Sequence, residues 1–221
     1  MKQLFFITLF SSIIFWNTSV LSNTYSGDDV KPCANESLCD ASNQPITGIV
    51  KFYYPNGNVK KIGYYNNGKR EGLTKTYYKN GKLRTEGYIK DGKELLKGYY
   101  KNGNMHGEWH YKDGQQEGLA KTFHLNGKIE SEVVYKSGKP DGIVRTYYDN
   151  GKLESESMYQ NGQPNGIART YLKDGKLKME ILFKNSIAVA GYEYQDNTKT
   201  KMSQTHLDNH QNGLKQIKTI M

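Results

Sequence analysis

Apolar material is scarce in this chain. Hydrophobic residues fill 36% of its 221 positions and its mean hydropathy is -0.80, too little to enclose the thick centre of a compact globule. Long hydrophobic runs are also missing. The one apolar stretch, Leu4 to Trp16, is broken by Thr8, Ser11 and Ser12 and falls short of the about 20 residues that a membrane span requires. With Lys2 before it and Val20-Leu21-Ser22 behind it, residues 1–22 read as a secretory signal cleaved after Ser22, the alternative being a retained N-terminal anchor. No cysteine stands at the cleavage point, which argues against an acylated lipoprotein.

Cysteine is nearly absent as well. Cys33 and Cys39 are the two present; their C-x5-C spacing differs from a redox C-x-x-C pair, and no second pair exists to complete a zinc site. In an exported segment they read as a disulfide closing a small loop. Tryptophan (2) and proline (5) are rare, whereas tyrosine (18) and glycine (23) abound. Amphipathic aromatics combined with turn residues favour short strands over long helices, so the expected class is all-β. The net charge of +9 suits acidic partners, whether anionic lipid head groups, cell-wall polymers or an acidic protein. Lysine and glutamate are interleaved, however, and nucleic acid is disfavoured for an exported chain.

An internal repeat organises the sequence. Segments opening at Gly48, Gly72, Gly118, Gly142 and Gly166 align, with 24 residues from Gly118 to Gly142 and again to Gly166. A shortened copy fills the gap from Leu96. Each unit runs through alternating residues into Asn-Gly or Asp-Gly, whose glycines are Gly57, Gly81, Gly103, Gly127, Gly151 and Gly175. That dipeptide tolerates positive φ twice, so each unit is expected to be a β-hairpin closed by a two-residue type I′ turn. A second glycine, at positions 68, 92, 114, 138 and 162, marks a looser turn to the next hairpin.

Type I′ geometry fixes a register. It sets Lys75 against Glu86, Lys97 against Glu108, Lys121 against Glu132, Arg145 against Glu156 and Arg169 against Glu180, with Lys51 against Ile62 the exception. The same register sets Tyr78 beside Leu83 and Tyr148 beside Leu153 on the opposite face, continuing through Ile89 and Tyr159. A three-residue bulged turn would shift every pair by one, and the run of opposite charges favours the two-residue turn. The expected fold is therefore an elongated, twisted antiparallel sheet of tandem β-hairpins over residues 48–190, with the polar segment 23–47 and a degenerate repeat with a polar tail over 191–221 as caps on its ends.

The repeat unit G-x4-Y-Y-x-N-G-K-L-x2-E-x2-Y-x2-G-K-x2-G resembles the MORN-variant repeat of the YwqK family of bacterial antitoxin proteins. The resemblance implies a β-hairpin array of scaffolding or binding character, and it gives the matching residues structural roles. Gly81, Gly127 and Gly151 would be turns, and Tyr77, Tyr78, Tyr147 and Tyr148 ladder residues. A cytosolic antitoxin should not carry a secretion signal, but an immunity role against a secreted toxin is compatible with one.

Motifs that suggest chemistry fail on context. Gly63–Lys69 and Gly87–Lys93 fit the first seven positions of a P-loop, yet Arg70 and Glu94 stand where a magnesium-binding Ser or Thr is needed. His206 and His210 are spaced as ligands on one helical turn but lack the following glutamate of a zinc peptidase, and they read as solvated tail residues. His106 and His110 are expected on the charged face around Glu108. The glutamate column has cationic neighbours throughout, which keeps it ionised and structural. No catalytic, cofactor or metal residue is assigned, and the chain is expected not to be an enzyme. The candidate interaction surface is Tyr77, Tyr99, Trp109 and Tyr147, amphipathic rings on a rigid ribbon that suit a protein partner, a toxin among the options. Export to the periplasm, extracellular space or cell surface is expected, with lipid or wall-polymer binding as the alternative function.

Overall fold

Polar and apolar residues that alternate over eight or nine positions, punctuated by glycine every ten or so, can bury one side of a strand only by pairing with the next. The chain does this along its length. A computed structural model describes residues 23–33, 37–196 and 198–217; the expected signal, residues 1–22, lies outside them. One 16-stranded sheet follows the chain order from strand Gly48–Tyr53 to strand Thr198–Lys201, with Asn23–Ser26 added in parallel at its head and the short Gln115–Gln116 attached to Met105–Lys112. The fold is the long, twisted antiparallel sheet of sequential hairpins that the repeat implies.

The two turn types are the reverse of those expected. At Asn80-Gly81, Gly81 N donates to the Tyr78 carbonyl at 2.9 Å and Tyr78 N donates to the Lys82 carbonyl at 2.8 Å. Gly81 alone takes a positive φ, of 81°, so this is a three-residue turn closed by a glycine bulge. Gly57, Gly103, Gly127, Gly151 and Gly175 repeat it. The tight two-residue turns are those that looked loose: Asn67-Gly68 has φ of 49° and 76°, and Asp91-Gly92 has 50° and 72°, the type I′ signature. The cause is a side chain. Asn80 Oδ1 accepts from Lys82 N at 3.1 Å and Asn150 Oδ1 from Lys152 N at 2.9 Å, a local bond that occupies the asparagine and leaves positive φ to the glycine.

The ion-pair register nevertheless survives, because a second irregularity cancels the first. Tyr77 pairs with Leu83, Arg84 is bulged out, and Thr76 then pairs with Thr85 and Lys75 with Glu86. Lys97–Glu108, Lys121–Glu132, Arg145–Glu156 and Arg169–Glu180 pair likewise, and Lys51 faces Ile62. The expected Tyr78–Leu83 and Tyr148–Leu153 neighbours are wrong by one residue, since Leu83 and Leu153 face Tyr77 and Tyr147.

Buried apolar clusters sit at the two ends. Ile46, Val50 and Tyr65 form the first, with Tyr25, Val30, Leu38 and Phe52 packed around them. Cys33 and Cys39 are bonded in this N-terminal segment. The second comprises Ile181, Phe183, Ala188, Met202 and Leu207. Leu207 comes from the helix Gln204–Ile217, an element that the expected degenerate repeat and polar tail of residues 191–221 does not include. Gly191 admits this helix, for a Cβ there would stand 2.7 Å from Met202 Sδ and 2.8 Å from Leu207 Cδ2.

Candidate interaction surface

Strand alternation assigns every residue to one of two faces. On the first, which we call the charged face, the ion pairs form a column down the ribbon. Lys75–Glu86 close to 2.9 Å, Lys97–Glu108 to 3.6 Å, Lys121–Glu132 to 3.0 Å, Arg145–Glu156 to 2.7 Å and Arg169–Glu180 to 2.8 Å. Partial exposure limits each pair to roughly 0.2–1 kcal/mol. Their larger effect is to neutralise the face. The hydrogen bond from Lys121, joined by one from Tyr147, holds the Glu132 carboxyl below its usual range, and the bond to Glu86 raises the Lys75 ammonium.

A column of tyrosines flanks the ion pairs. Tyr77, Tyr99 and Tyr147 lie two residues beyond Lys75, Lys97 and Arg145 on the same strands and so share their face. Tyr147 is anchored by its hydroxyl, which donates to Glu132 Oε2 at 2.9 Å, and burial together with that bond pushes its phenol up.

On the other flank runs an apolar column that the sequence reading missed. Leu73 opposes Tyr88, Leu119 opposes Val134, Ile143 opposes Met158 and Ile167 opposes Leu182. Leu73 is 45% exposed, Leu119 41%, Met158 43% and Ile167 43%. The signal was present in the sequence, since every full repeat carries Ile or Leu directly after its opening glycine. At the short repeat this flank sinks into a hollow of about 450 Å³ lined by Tyr88, Leu95 and His110 together with charged residues including Lys90 and Glu94.

The fourth candidate, Trp109, belongs to the opposite face. It pairs with Leu96 and lies over two glycines, where a Cβ on Gly107 would stand 2.6 Å from its ring. His106 also departs from expectation. The register shift between Gly98 and Tyr99 removes it from alternation, and its ring packs 4.8 Å from Tyr100 and 5.7 Å from Trp109. His110 stays beside Glu108, at 3.5 Å. The sequence-derived set is thus three tyrosines on one face and a tryptophan on the other.

The opposite face is given to holding repeats together. The second tyrosine of four Tyr-Tyr pairs, those that lead into a three-residue turn, donates its hydroxyl to a main-chain carbonyl of the next repeat: Tyr54 to Tyr77, Tyr78 to Tyr99, Tyr100 to Phe123, each at 2.8 Å, and Tyr148 to Tyr171 at 2.7 Å. His124 Nε2 takes this role toward Tyr147 at 2.7 Å. Each such bond stabilises the interface between neighbouring repeats by about 0.5–1.5 kcal/mol. Tyr148→Phe, which keeps the ring and deletes the donor, is expected to lower the urea midpoint by an amount equivalent to about 1 kcal/mol. An unchanged midpoint would show that the hydroxyl contributes nothing.

The two P-loop-like heptads cross the tight turns Asn67-Gly68 and Asp91-Gly92, and strands rather than helices follow them.

Comparison with known proteins agrees with this repeat architecture. A family profile described as MORN repeat variant matches residues 46–67, 70–91, 95–113, 116–137, 140–161 and 164–185. No curated protein matches the chain. Among solved structures, a mutant of S. aureus TarM in complex with Fondaparinux, alpha-GlcNAc-glycerol and UDP shares 15% identity over 42% of this chain and 19% of that one, with a TM-score of 0.32. A further crystal structure of TarM shares 14% identity over 42% of this chain and 20% of that one, with a TM-score of 0.30. This chain therefore spans about a fifth of the length of each, and at these scores neither likeness bears on its function.

Proposed function

This chain belongs to the MORN repeat variant family, and we propose that it is an exported, non-catalytic binding protein whose charged face receives another protein. The observation that carries the reading is the composition of that face. Each basic residue of its central column except Lys51, which faces Ile62, has a glutamate partner, so the surface offers apolar side chains and tyrosine rings and little net charge. Protein interfaces combine such aromatic and aliphatic anchors with a neutralised polar surround. A lipid head group or wall polymer would be served better by unpaired cations.

The finer reading is an immunity or antitoxin-type partner of a toxin that acts outside the cytoplasm. It rests on the YwqK-like repeat and on the secretory character of residues 1–22. A regular, rigid ribbon suits this task, because an occluding partner needs a large surface that loses little entropy on binding.

The alternative is adhesion to anionic lipid or wall polymer at the cell envelope. Lysines on the turn edge favour it: Lys128 and Lys152 stretch along the ribbon to the carbonyls of Asn150 and Asp174, at 2.8 Å and 2.6 Å, so cationic groups line that edge.

Capture from envelope and secreted fractions by the immobilised chain from Asn23 onward, with mass spectrometry of the retained material, separates the two. A stoichiometric protein retained between 50 and 500 mM salt supports the proposal, these values being chosen to take the Debye length from well above to well below about 10 Å. Lipid or polymer that elutes with salt, with no protein retained, overturns it in favour of adhesion.

A further inference from the structure

We propose that Glu193, His206 and His210 form a binding site for a divalent transition-metal cation of the zinc class, which clasps the C-terminal helix to the sheet. Read alone, Thr-His-Leu-Asp-Asn-His gives two solvated histidines, because the glutamate that follows the first histidine of a zinc peptidase is missing. The fold supplies a third ligand. His206 and His210 lie four residues apart in the helix Gln204–Ile217 and so share one side of it, with ring centroids 5.4 Å apart. Glu193 rises from strand Ile187–Gln195, and its Oε1 is 3.8 Å from His206 Nε2. One ligand atom from each of the three residues falls within 4.8 Å of the others.

The placement follows from the packing beneath. Leu207 and Met202 sit against Ile181 and Phe183, and the missing side chain of Gly191 lets them approach. With Leu207 directed into that cluster, the neighbouring His206 meets Glu193, two residues past Gly191 on the same strand and face. The packing thus holds helix and carboxylate in fixed relation before any ion arrives.

The donor set selects the metal. Two imidazoles and one carboxylate suit zinc, copper or nickel, whereas calcium and magnesium need oxygen ligands throughout. Tetrahedral zinc at about 2.0–2.2 Å from each ligand requires donors roughly 3.3 Å apart, so the three side chains must close by about 1 Å. His206 and Glu193, with side chains 49% and 45% exposed, can do so by rotation. Three protein ligands leave a fourth position to water. The ion would fasten a helix that carries Asn209, Asn212 and Gly213, all poor helix formers, and that is too short to be stable alone.

The test is a zinc titration of the purified, chelator-treated full chain by calorimetry, with native-state hydrogen exchange of the helix as a second measurement. One ion per chain is expected. Glu193→Gln, His206→Asn and His210→Asn should each weaken binding 10-fold or more, while His106→Asn and His124→Asn leave it unchanged. Zinc at 100 times its Kd should slow exchange of the helix amides about 100-fold if the ion binds only the docked helix. Equal affinity in all three site variants, or helix exchange indifferent to zinc in the unaltered chain, overturns the proposal. The exchange measurement needs no variant, so it decides even if a substitution disturbs folding.

Discussion

Replacing Leu119, Ile143 and Ile167 together by glutamate will reduce capture of the protein partner by at least 100-fold while leaving the ribbon folded. The three side chains occupy equivalent positions in successive repeats and are 41%, 36% and 43% exposed. Each repeat adds two strands at about 4.8 Å, so they stand roughly 10 Å apart along a line. None belongs to a buried cluster, and exposed substitutions of this kind usually change stability by no more than about 0.5 kcal/mol each. Their loss from an interface is far more costly. A buried Leu or Ile contributes about 1.5–3 kcal/mol by desolvation, and three introduced carboxylates would be buried without partners. Two such losses already exceed the roughly 2.7 kcal/mol that corresponds to 100-fold. Pull-down or calorimetry against the captured partner, with circular dichroism to confirm the fold, gives the readout. Trp109→Ala is the control, because that ring packs over Gly98 and Gly107 on the other face. Undiminished capture by the triple variant would remove the charged face from consideration.

The repeat, the class of fold and the ion-pair column were legible in the sequence because each depends on residues at fixed short offsets. Lys75 and Glu86 are 11 positions apart, as are Arg145 and Glu156, and any hairpin that closes between them in this register brings them together. The turn types were not legible. Asn-Gly permits positive φ at both positions, but Asn80 bonds Lys82 N through its side chain instead, and sequence alone does not state that choice. The charge pattern was correct for a reason other than the one assigned to it, since a bulge at Arg84 restores the register that the three-residue turn displaces.

The candidate surface was legible in part. Tyr77, Tyr99 and Tyr147 share a face through simple alternation, but Trp109 was grouped with them by its chemistry, and the register places it opposite. The exposed Leu and Ile column went unnoticed because an apolar residue at a fixed repeat position reads as core. In a single-layer sheet no second layer covers either face, so the same periodicity can mark a surface. The tyrosine straps were hidden for another reason: the acceptor of Tyr54 is a main-chain carbonyl 23 residues away, and a carbonyl has no residue type to recognise. Glu193 was invisible as a partner of His206 until the helix docked.

Phe183→Ala will release the C-terminal cap. The ring is 2% exposed and packs with Ile181, Ala188, Met202 and Leu207, and truncations of this kind cost about 3–5 kcal/mol where the cavity does not collapse. In a repeat array each unit is stabilised chiefly by its neighbours, so the loss should remain local. Strand Ile187–Gln195, strand Thr198–Lys201 and the helix Gln204–Ile217 should fray together, while strands Gly48–Tyr53 to Leu153–Gln160 keep their protection. Hydrogen exchange read segment by segment tests this directly: amides of the last two strands and the helix are expected to exchange more than 100-fold faster, and those before Gln160 to stay within a few-fold of the unaltered chain. Acceleration across all segments would mean that the ribbon unfolds as one unit, and that the cap guards the whole sheet rather than its final edge. An unchanged C-terminal segment would show that Met202 and Leu207 hold the helix without the ring. The local outcome follows from the geometry of an array built from nearest-neighbour contacts, in which Phe183 pairs with Gly166, its cluster reaches back to Ala168, and that cluster contains no residue before Gln160.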